Sequence, residues 1–454
     1  MKIAYAVHHL PPRYTGGAEA RALRTASWFQ AHQHAASIIC IEAIDQSDPP
    51  VADAAADGVF VRRLVFDLKA APDPERWRYD NPLVERRVGE FLAQQQPDVF
   101  HLFSGYLMTA GAVRAARAAG VPIVISLTDF WFLCPRITLL RGDGSVCPAP
   151  PVDALGCVRC MAEEQRRFRL PARAAPGVVT ALWRAIGRLP SMRDQARHIR
   201  ERRRILRDAL DYADALICPS RFLKELFAAN GAAPDKLILM RQGLSLPKHR
   251  PVKERDRGLP VIGYRGQIKP HKGLDVLVDA ALDLAARGHR FTLALYGNAD
   301  EDARYTASLK RRAAGAAFIE WRGTYPASRV WEVLAGLDVA VVPSRWYENS
   351  PNAILEAQAA GVPVVATDLG GMAELVRHDV DGLLFKLNDP IDLSRQLARL
   401  LEEPALRERL SAQAPPVRTL DDEMAELVKL YRRVALREPA SATLPSKQTE
   451  ASPC

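Results

Sequence analysis

Short apolar runs alternate with longer stretches of helical spacing along this chain, and the alternation occurs twice. Apolar runs separated in this way are typical of buried parallel strands that helices cover on both faces. The pattern therefore predicts an α/β fold made of two doubly wound, Rossmann-like domains. The predicted strands lie near 2–9, 36–43, 59–66, 98–103, 121–127, 214–219 and 237–241 in the first half, and near 261–264, 291–296, 317–321, 338–342 and 362–366 in the second.

A boundary between the two domains is predicted at 247–260, a linker rich in Pro, Lys, Arg and Asp. The first domain then covers 1–246 and the second covers 261–416. A helical pattern follows at 417–438, and residues 439–454 have the composition of a disordered tail. In paired domains of this kind, a ligand is expected in the cleft at the carboxyl ends of both sheets.

Two glutamates eight positions apart, Glu348 and Glu356, flank a predicted helix start just after a buried strand. Ser350 is predicted to be the N-cap, Pro351 suits the first helical position, and Gly361 is placed to end the helix. Free backbone N–H groups at such a terminus attract phosphate. Glu348 is then placed to reach a sugar hydroxyl and Glu356 a ribose. The alternative is a pair of solvated glutamates on a surface helix.

A second candidate site follows the strand that begins near 261. Arg265, Lys269, His271 and Lys272 cluster at the amino end of a helix that begins near Gly273. The helix macrodipole makes cations unfavourable there unless an anion lies between them and the helix. A bound diphosphate would satisfy this arrangement, and solvated surface cations are the alternative.

Four segments, in this order, resemble the retaining glycosyltransferases of family 4, which have the GT-B fold. They are Gly16-Gly17-Ala18-Glu19 after the first strand, the loop from Gly266 to Gly273, the paired glutamates, and Gly370-Gly371-Met372-Ala373-Glu374. The resemblance covers most of the chain. It implies transfer of a sugar from a nucleotide diphosphate with retention at the anomeric carbon, and a carboxyl-terminal helix that crosses back to the first domain. The implied donor-binding residues are Gly16, Gly17, Arg265, Gln267, Lys272, Asn349, Ser350, Asn352 and Glu356, with Glu348 in a catalytic role.

The chain departs from this family at two positions. Gln267 stands where the family usually has arginine, so a planar cation for the leaving diphosphate is missing there, and Arg265 is a candidate to replace it. Thr128-Asp129 stands where the family often has histidine followed by an acidic residue. Asp129 is predicted to orient the sugar or the acceptor hydroxyl, and a turn cap is the alternative. The family reaction needs no side-chain base, because the departing phosphate takes the acceptor proton.

Four of the seven cysteines fall within a short stretch, and the last two form Cys-x2-Cys. In a cytoplasmic chain such a group suggests a structural zinc site before disulfides. Reduced thiols in an insertion loop, 130–161, are the alternative, and no cofactor is expected for catalysis itself. The four are Cys134, Cys147, Cys157 and Cys160.

The net charge is +9, and basic residues concentrate between 166 and 207, including Arg202-Arg203-Arg204. Aromatic residues make up only 7% of the chain, which favours an anionic membrane surface over nucleic acid as the partner. Apolar residues at 182, 183, 186 and 189 have helical spacing, so a helix at 178–189 is predicted to lie in the interface with Arg184 and Arg188 toward headgroups. A helix packed on its own domain is the alternative.

The first 20 residues lack a continuous apolar segment, and no run of about 20 uncharged apolar residues occurs. The expectation is a cytoplasmic protein, peripheral on the inner face of the membrane. The leading function is a retaining glycosyltransferase acting on a lipid-linked or polysaccharide acceptor. A catalytically silent GT-B subunit that binds a partner glycosyltransferase, and another GT-B enzyme such as a nucleotide-sugar epimerase, are the alternatives.

Overall fold

A computed structural model describes residues 1–436, except 12, 15, 45–51, 151, 152, 188 and 248–257. Residues 248–257 of the predicted linker at 247–260 lie outside the described residues. The predicted disordered tail at 439–454 and the side chain of Arg188 lie outside them as well.

The first sheet has eight strands in the order β3-β4-β2-β1-β5-β6-β7-β8. From β4 to β8 in this order, neighbouring strands pair in parallel wherever their register is defined. β3 and β4 form an antiparallel hairpin, and β3 was not predicted from the sequence. Asp57 and Gly58 both have positive φ in its turn, which matches the twist that a two-residue hairpin requires. The strands are β1 Lys2–Val7, β2 Ala35–Ala43, β3 Ala52–Ala56, β4 Val59–Val65, β5 Val99–Leu102, β6 Ile123–Ser126, β7 Ala215–Cys218 and β8 Leu237–Leu239.

The second sheet has six parallel strands in the order β11-β10-β9-β12-β13-β14. Its inner strands are almost wholly apolar and buried, which explains why the sequence analysis found them. The edge strand β14 was missed. The strands are β9 Val261–Arg265, β10 Thr292–Tyr296, β11 Ile319–Gly323, β12 Val339–Val342, β13 Val364–Thr367 and β14 Gly382–Phe385.

Helices connect the parallel strands, as crossover connections require. The helix predicted to begin near Gly273 is present and begins at Leu274. The helices are α1 Gly17–Ala31, α2 Pro74–Trp77, α3 Pro82–Gln95, α4 Thr109–Ala118, α5 Ala154–Ala162, α6 Arg166–Ala174, α7 Pro176–Ile186, α8 Pro190–Tyr212, α9 Arg221–Ala229, α10 Leu274–Ala286, α11 Ala303–Arg312, α12 Val330–Ala335, α13 Asn352–Ala359, α14 Gly370–Leu375, α15 Pro390–Glu402, α16 Pro404–Ala412 and α17 Leu420–Ala435.

The chain divides into two compact units. The first contains Met1–Ser126, Asp208–Ala215 and the chain from Glu426, and the second contains Leu127–Arg207 and Leu216–Ala425. The second unit therefore includes the cysteine-rich insertion, which the sequence analysis assigned to the first domain. α17 begins in the second unit and ends in the first, as expected for a crossover helix. The predicted α/β class, with two parallel sheets, is confirmed.

Within the second unit, β9 lies between β10 and β12, and β13 follows β12. Because these strands are parallel, the segments after their carboxyl ends emerge at one edge of the sheet. An apolar core that includes Ile262, Leu277 and Val341 fixes β9 and β12 under α10. The sheet thereby brings the 265–273 loop beside the 343–351 segment.

Candidate donor-binding site

Lys272 and Glu348 form an ion pair at this edge, with 2.6 Å between Nζ and Oε1. The same carboxylate oxygen accepts hydrogen bonds from Ser344 Oγ at 2.8 Å and from Trp346 Nε1 at 2.9 Å. The Lys272 ammonium also lies 5.1 Å from the centre of the Trp346 ring. Glu348 is therefore held in one orientation by three donors rather than solvated, which removes the surface alternative for this residue.

Electrostatics favour the ionised form of Glu348. Burial raises the pKa of Glu348, but the charge and hydrogen bond of Lys272, with the hydrogen bonds from Trp346 and Ser344, outweigh burial and lower that pKa below its usual value. Burial, with the neighbouring Lys272 charge, lowers the pKa of His271 to about 4. His271 is therefore neutral near pH 7, and the positive charge at this place in the loop belongs to Lys272.

A second cation–carboxylate pair joins Arg265 and Glu356, with 2.8 Å between Nη2 and Oε2. Arg265 Nη1 also donates to the hydroxyl oxygen of Tyr325 at 2.9 Å. The Arg265 side chain is buried against these partners, whereas Gln267 is exposed. Arg265 thus orients Glu356. If Arg265 also contacted the leaving diphosphate, its guanidinium would have to bind Glu356 and the diphosphate at the same time.

Gly273 closes the loop in a conformation that requires glycine. Its φ is +70°, and a Cβ there would lie 1.9 Å from the carbonyl oxygen of Pro343. The 3₁₀ turn Pro270–Lys272 and the start of α10 can therefore press against the segment that carries Glu348. Any larger residue would push Lys272 away from its carboxylate.

The predicted N-cap was wrong. α13 begins at Asn352 with Pro351 as the N-cap, and no side chain caps it. Ser350 Oγ and Asn349 Oδ1 are instead buried without a hydrogen-bond partner in the described structure. Buried polar atoms rarely go unpaired, because each such atom costs about 1–3 kcal/mol. These two oxygens beside a helix amino terminus therefore lack the partner that buried polar atoms normally have.

The segment after β13 packs against the backbone of the glutamate segment. Gly371 N donates to Glu348 O at 2.9 Å, and a Cβ on Gly371 would lie 2.1 Å from Asn349 O. Glu374, on the same helix, accepts hydrogen bonds from the backbone N–H groups of Arg221 and Phe222 at 2.9 and 3.0 Å, and it pairs with Arg241. The Gly370–Glu374 motif therefore holds the backbone of Glu348 and Asn349 in place without contacting their side chains in these bonds.

Asp129 caps a turn, because its Oδ1 accepts a hydrogen bond from Trp131 N at 2.8 Å. The adjacent Thr128 carbonyl accepts a hydrogen bond from Asn349 Nδ2 at 2.8 Å. Phe130 lies 6.0 Å from Tyr347, measured between ring centres. The segment at 128–130 thus reaches the glutamate segment through Thr128 and Phe130, while the bond from Trp131 N holds the Asp129 carboxylate within its own turn.

Gly16 and Gly17 lie in the first unit, where Gly16 is the N-cap of α1 and Gly17 is its first residue. The imidazole of His8 lies 3.2 Å from the Glu19 carboxylate, between Nε2 and Oε1. Burial raises the pKa of Glu19, but the hydrogen bond and charge of His8 outweigh it and lower that pKa. Glu19 is thereby fixed one turn into α1, directly after the two glycines.

The four clustered cysteines line one cavity of about 310 Å³ in the second unit. All four are free thiols, and Arg203 Nη2 donates to Cys157 Sγ at 3.2 Å. Burial raises the pKa of Cys157 and raises that of Cys160 to about 11. Within the described residues, no group of three or more His, Cys, Asp and Glu side chains is arranged to hold a metal ion.

The structure brings together most of the predicted donor residues of the second unit: Arg265, Lys272, Glu348, Asn349, Ser350, Asn352 and Glu356. Gln242 also joins them, because its Nε2 donates to Ser350 O at 2.8 Å and to Asn352 Oδ1. Sequence reasoning missed Ser344, Trp346, Tyr325 and Gln242. Ser344 and Trp346 carried a usable signal, since both lie within four residues of Glu348 after a buried strand.

Solved structures place the fold in the GT-B class. Anabaena HepE in complex with UDP aligns with a TM-score of 0.64 at 16% identity, over 95% of this chain and 100% of that chain. Sucrose-phosphate synthase from Thermosynechococcus elongatus aligns with a TM-score of 0.63 at 16% identity, over 95% of this chain and 98% of that chain. At 16% sequence identity, this structural similarity supports a shared fold and nothing more.

Family models assign both halves of the chain. The model described as glycosyl transferase 4-like domain matches residues 16–243, and the model described as glycosyl transferases group 1 matches residues 246–416. The chain therefore belongs to the family of glycosyltransferases that these two models describe together.

Curated relatives agree with the family assignment. A D-inositol 3-phosphate glycosyltransferase of Catenulispora acidiphila is 28% identical over 81% of this chain and 78% of its own length. The 2-deoxystreptamine glucosyltransferase of Streptomyces kanamyceticus is 27% identical over 66% of each chain. The matches to two further inositol phosphate glycosyltransferases cover only 49% and 54% of their lengths.

Proposed function

We propose that this protein transfers a sugar from a nucleotide diphosphate donor, with retention at the anomeric carbon, to a lipid-linked or polysaccharide acceptor. The observation that carries the proposal is the pair of oriented glutamates, Glu348 on Lys272 and Glu356 on Arg265, beside the amino terminus of α13. Structural neighbours crystallised with UDP support a nucleotide-bound donor.

The chemistry follows from the positions of the charges. The bond between the anomeric carbon and the diphosphate oxygen breaks, and the two electrons leave with the diphosphate. Lys272 stabilises the negative charge that develops there, since a fixed cation in a water-poor site is worth more than one in water. The acceptor oxygen attacks from the face that the diphosphate leaves and gives its proton to a phosphate oxygen. Glu348 holds a sugar hydroxyl, and Asp129 is assigned to orient the sugar or acceptor.

Transfer assays with UDP-, GDP- and ADP-sugars test this proposal, with the anomeric configuration of the product determined by NMR. Retained configuration supports it. Inverted configuration would overturn the retaining mechanism, and interconversion of the free nucleotide sugars would identify an epimerase.

A silent GT-B subunit is the second candidate, and the departures at Gln267 and Thr128 favour it. A silent subunit would bind no nucleotide, or would bind it without turnover on any donor. Calorimetry tests the binding, and the transfer assays test the turnover. The ordered Lys272–Glu348 pair favours the enzyme, since a subunit without donor chemistry has no need of a buried, ionised carboxylate at this place.

The acceptor class points to a membrane surface. Among the described helices, none combines the length and the apolar character needed to span a bilayer. Peripheral attachment of the basic segment at 166–207 would bring the protein to a lipid-linked acceptor at the membrane surface.

A further inference from the structure

Exposed apolar side chains are concentrated on one small part of the second unit, at α6 and α7. In the described residues, eight large apolar side chains are exposed, and four of them lie between 170 and 189. Leu170 is 49% exposed, Val178 71%, Leu182 53% and Leu189 51%. Val178 and Leu182 share one side of α7, while Leu170 lies on α6 and Leu189 just after α7, and we name these four the apolar face. Scattered exposed leucines need no explanation, but a group of this kind marks an interaction site.

The packing of α7 holds this face outward. Arg159 Nη1, on α5, donates to Thr180 Oγ1 at 2.9 Å, and a Cβ on Gly187 would meet Leu155 Cδ1 at 2.8 Å. Val179 is buried on the same side. Because α7 is fixed through these contacts, Val178 and Leu182, one turn apart, cannot turn inward without breaking them.

The structure corrects the predicted interfacial helix. The helix at 178–189 is α7, which runs from Pro176 to Ile186. Trp183 and Ile186, predicted to share a face with Leu182, are half-buried, and Trp183 lies 6.1 Å from the ring of Phe168. Val178 takes their place on the outer face.

Arginines flank the residues of the apolar face along the chain. Residues 165–193 contain seven arginines and no Asp or Glu. Arg166, Arg167 and Arg184 are exposed. Arg202 and Arg203 were predicted to belong to the same basic surface, but both make contacts inside the second unit. Arg202 is buried and donates a hydrogen bond to Trp131 O, and Arg203 donates one to Cys157 Sγ.

We infer that the apolar face and its three exposed arginines form a docking surface for an anionic lipid bilayer. Leucine and valine side chains enter the boundary between headgroups and acyl chains, while arginines stay at the level of lipid phosphate. Acidic residues on a protein partner would also attract the arginines. A surface built for such a partner would not make the chain bind anionic vesicles in preference to neutral ones. The inference deepens the proposed function by naming the surface at which a lipid-linked acceptor is met, and it rests on that function.

Cosedimentation with lipid vesicles tests the inference. The full chain is mixed with vesicles of phosphatidylcholine alone, or with vesicles that contain phosphatidylglycerol, at low and high salt. We expect preferential, salt-sensitive binding to the anionic vesicles. Val178→Ser with Leu182→Ser should reduce that binding at least tenfold, and Arg166→Ser, Arg167→Ser and Arg184→Ser should each reduce it about fivefold.

Matched controls use exposed residues elsewhere. Ile391 is exposed on α15, so Ile391→Ser controls for lost apolar surface, and Arg290→Ser with Arg311→Ser controls for lost charge. These controls should bind vesicles as the unmodified chain does. Thermal unfolding checks that each variant folds, which is expected because the changed side chains are exposed.

Several results would overturn the inference. They are equal binding to neutral and anionic vesicles, unchanged binding after the Val178 and Leu182 substitutions, or light scattering that shows a dimer which those substitutions dissociate. The last result would assign the face to a second copy of the chain. Glu348→Ala separates this inference from the proposed function, because it should abolish transfer while vesicle binding persists. Loss of vesicle binding alone would leave the donor chemistry standing.

Discussion

Glu348 is the residue on which the site depends most, since one carboxylate oxygen accepts from Lys272, Ser344 and Trp346. Glu348→Gln should lower transfer by at least tenfold while preserving the fold, because a charged hydrogen bond contributes about 1.5–3 kcal/mol. Initial rates with the correct donor measure the effect. Glu402→Gln, on the exposed end of α15, is the matched control and should leave the rate unchanged. Near-normal turnover of the Gln variant would contradict the donor assignment.

The same carboxylate predicts a pH dependence of stability. The pKa of Glu348 is lower in the folded chain than its usual value, so its ionised form stabilises the fold above the unfolded pKa of about 4.3. That contribution is lost as pH falls through the lower, folded pKa. The difference in free energy of unfolding between the unmodified chain and Glu348→Gln should therefore be largest near neutral pH and shrink below about pH 4. Urea unfolding at several pH values measures it, and a difference that grows with acid would contradict the ionised pair.

Lys272 is predicted to recognise phosphate rather than the nucleoside. Lys272→Ala should weaken binding of nucleoside diphosphates much more than binding of the free nucleoside, because the nucleoside carries no charge for the ammonium. Calorimetry with both ligands measures the contrast. Lys310→Ala is a suitable control, since Lys310 is an exposed lysine on α11, outside the loop. Equal losses for both ligands would remove the phosphate role.

At the scale of elements, sequence patterns predicted the inner strands of both sheets and the edge strands β8 and β11, but missed the edge strands β3 and β14. β12 and β13 were visible because every residue is buried and all except Thr367 are apolar. β3 was missed because an alanine-rich run has little strand character, although Asp57-Gly58 marks its turn. Glu348 and Lys272 were identified from the sequence, but their pairing depends on the adjacency of β9 and β12, which are far apart along the chain.

The cysteine-rich insertion carries an element-scale prediction. Cys134 and Cys147 come from two loops and Cys157 and Cys160 from α5, and all four line one cavity, although within the described residues they are not arranged as a metal site. We propose that these thiols close on a structural zinc ion, with Arg203 retained as a hydrogen-bond donor to sulfur. The protein purified under reducing conditions should then contain one zinc per chain, and chelation should lower its melting temperature.

A cysteine outside the cluster controls that measurement. Cys157→Ala with Cys160→Ala should abolish zinc binding, whereas Cys218→Ala, in β7, should retain it. Cobalt substitution gives an independent signature, because four thiolates produce a sulfur-to-cobalt charge-transfer band. Reduced protein without zinc, and without that band on cobalt addition, would leave the four cysteines as free thiols around a cavity.

For the whole molecule, α17 matters because it begins in one compact unit and ends in the other. Its final turns are part of the core of the first unit, where Leu427, Leu430, Tyr431 and Val434 are all buried. The sequence predicted this helix from its spacing at 417–438. It could not predict that Tyr431 would meet His101, since the two residues lie 330 positions apart.

Tyr431 supplies the last prediction. Its hydroxyl lies 2.5 Å from His101 Nδ1, and His101 Nε2 lies 2.9 Å from Ser126 Oγ. Burial, with the charge of Arg21, keeps the pKa of His101 well below its usual value, so the ring stays neutral and needs both partners. Tyr431→Phe should cost about 1–3 kcal/mol, because it leaves a buried ring nitrogen unpaired, and Tyr431→Ala about 3–5 kcal/mol, because it also opens a cavity. Urea unfolding measures both, with Tyr212→Phe as the control at a partly exposed site. Equal stability of Tyr431→Phe and the unmodified chain would show that this hydrogen bond does not stabilise the end of α17.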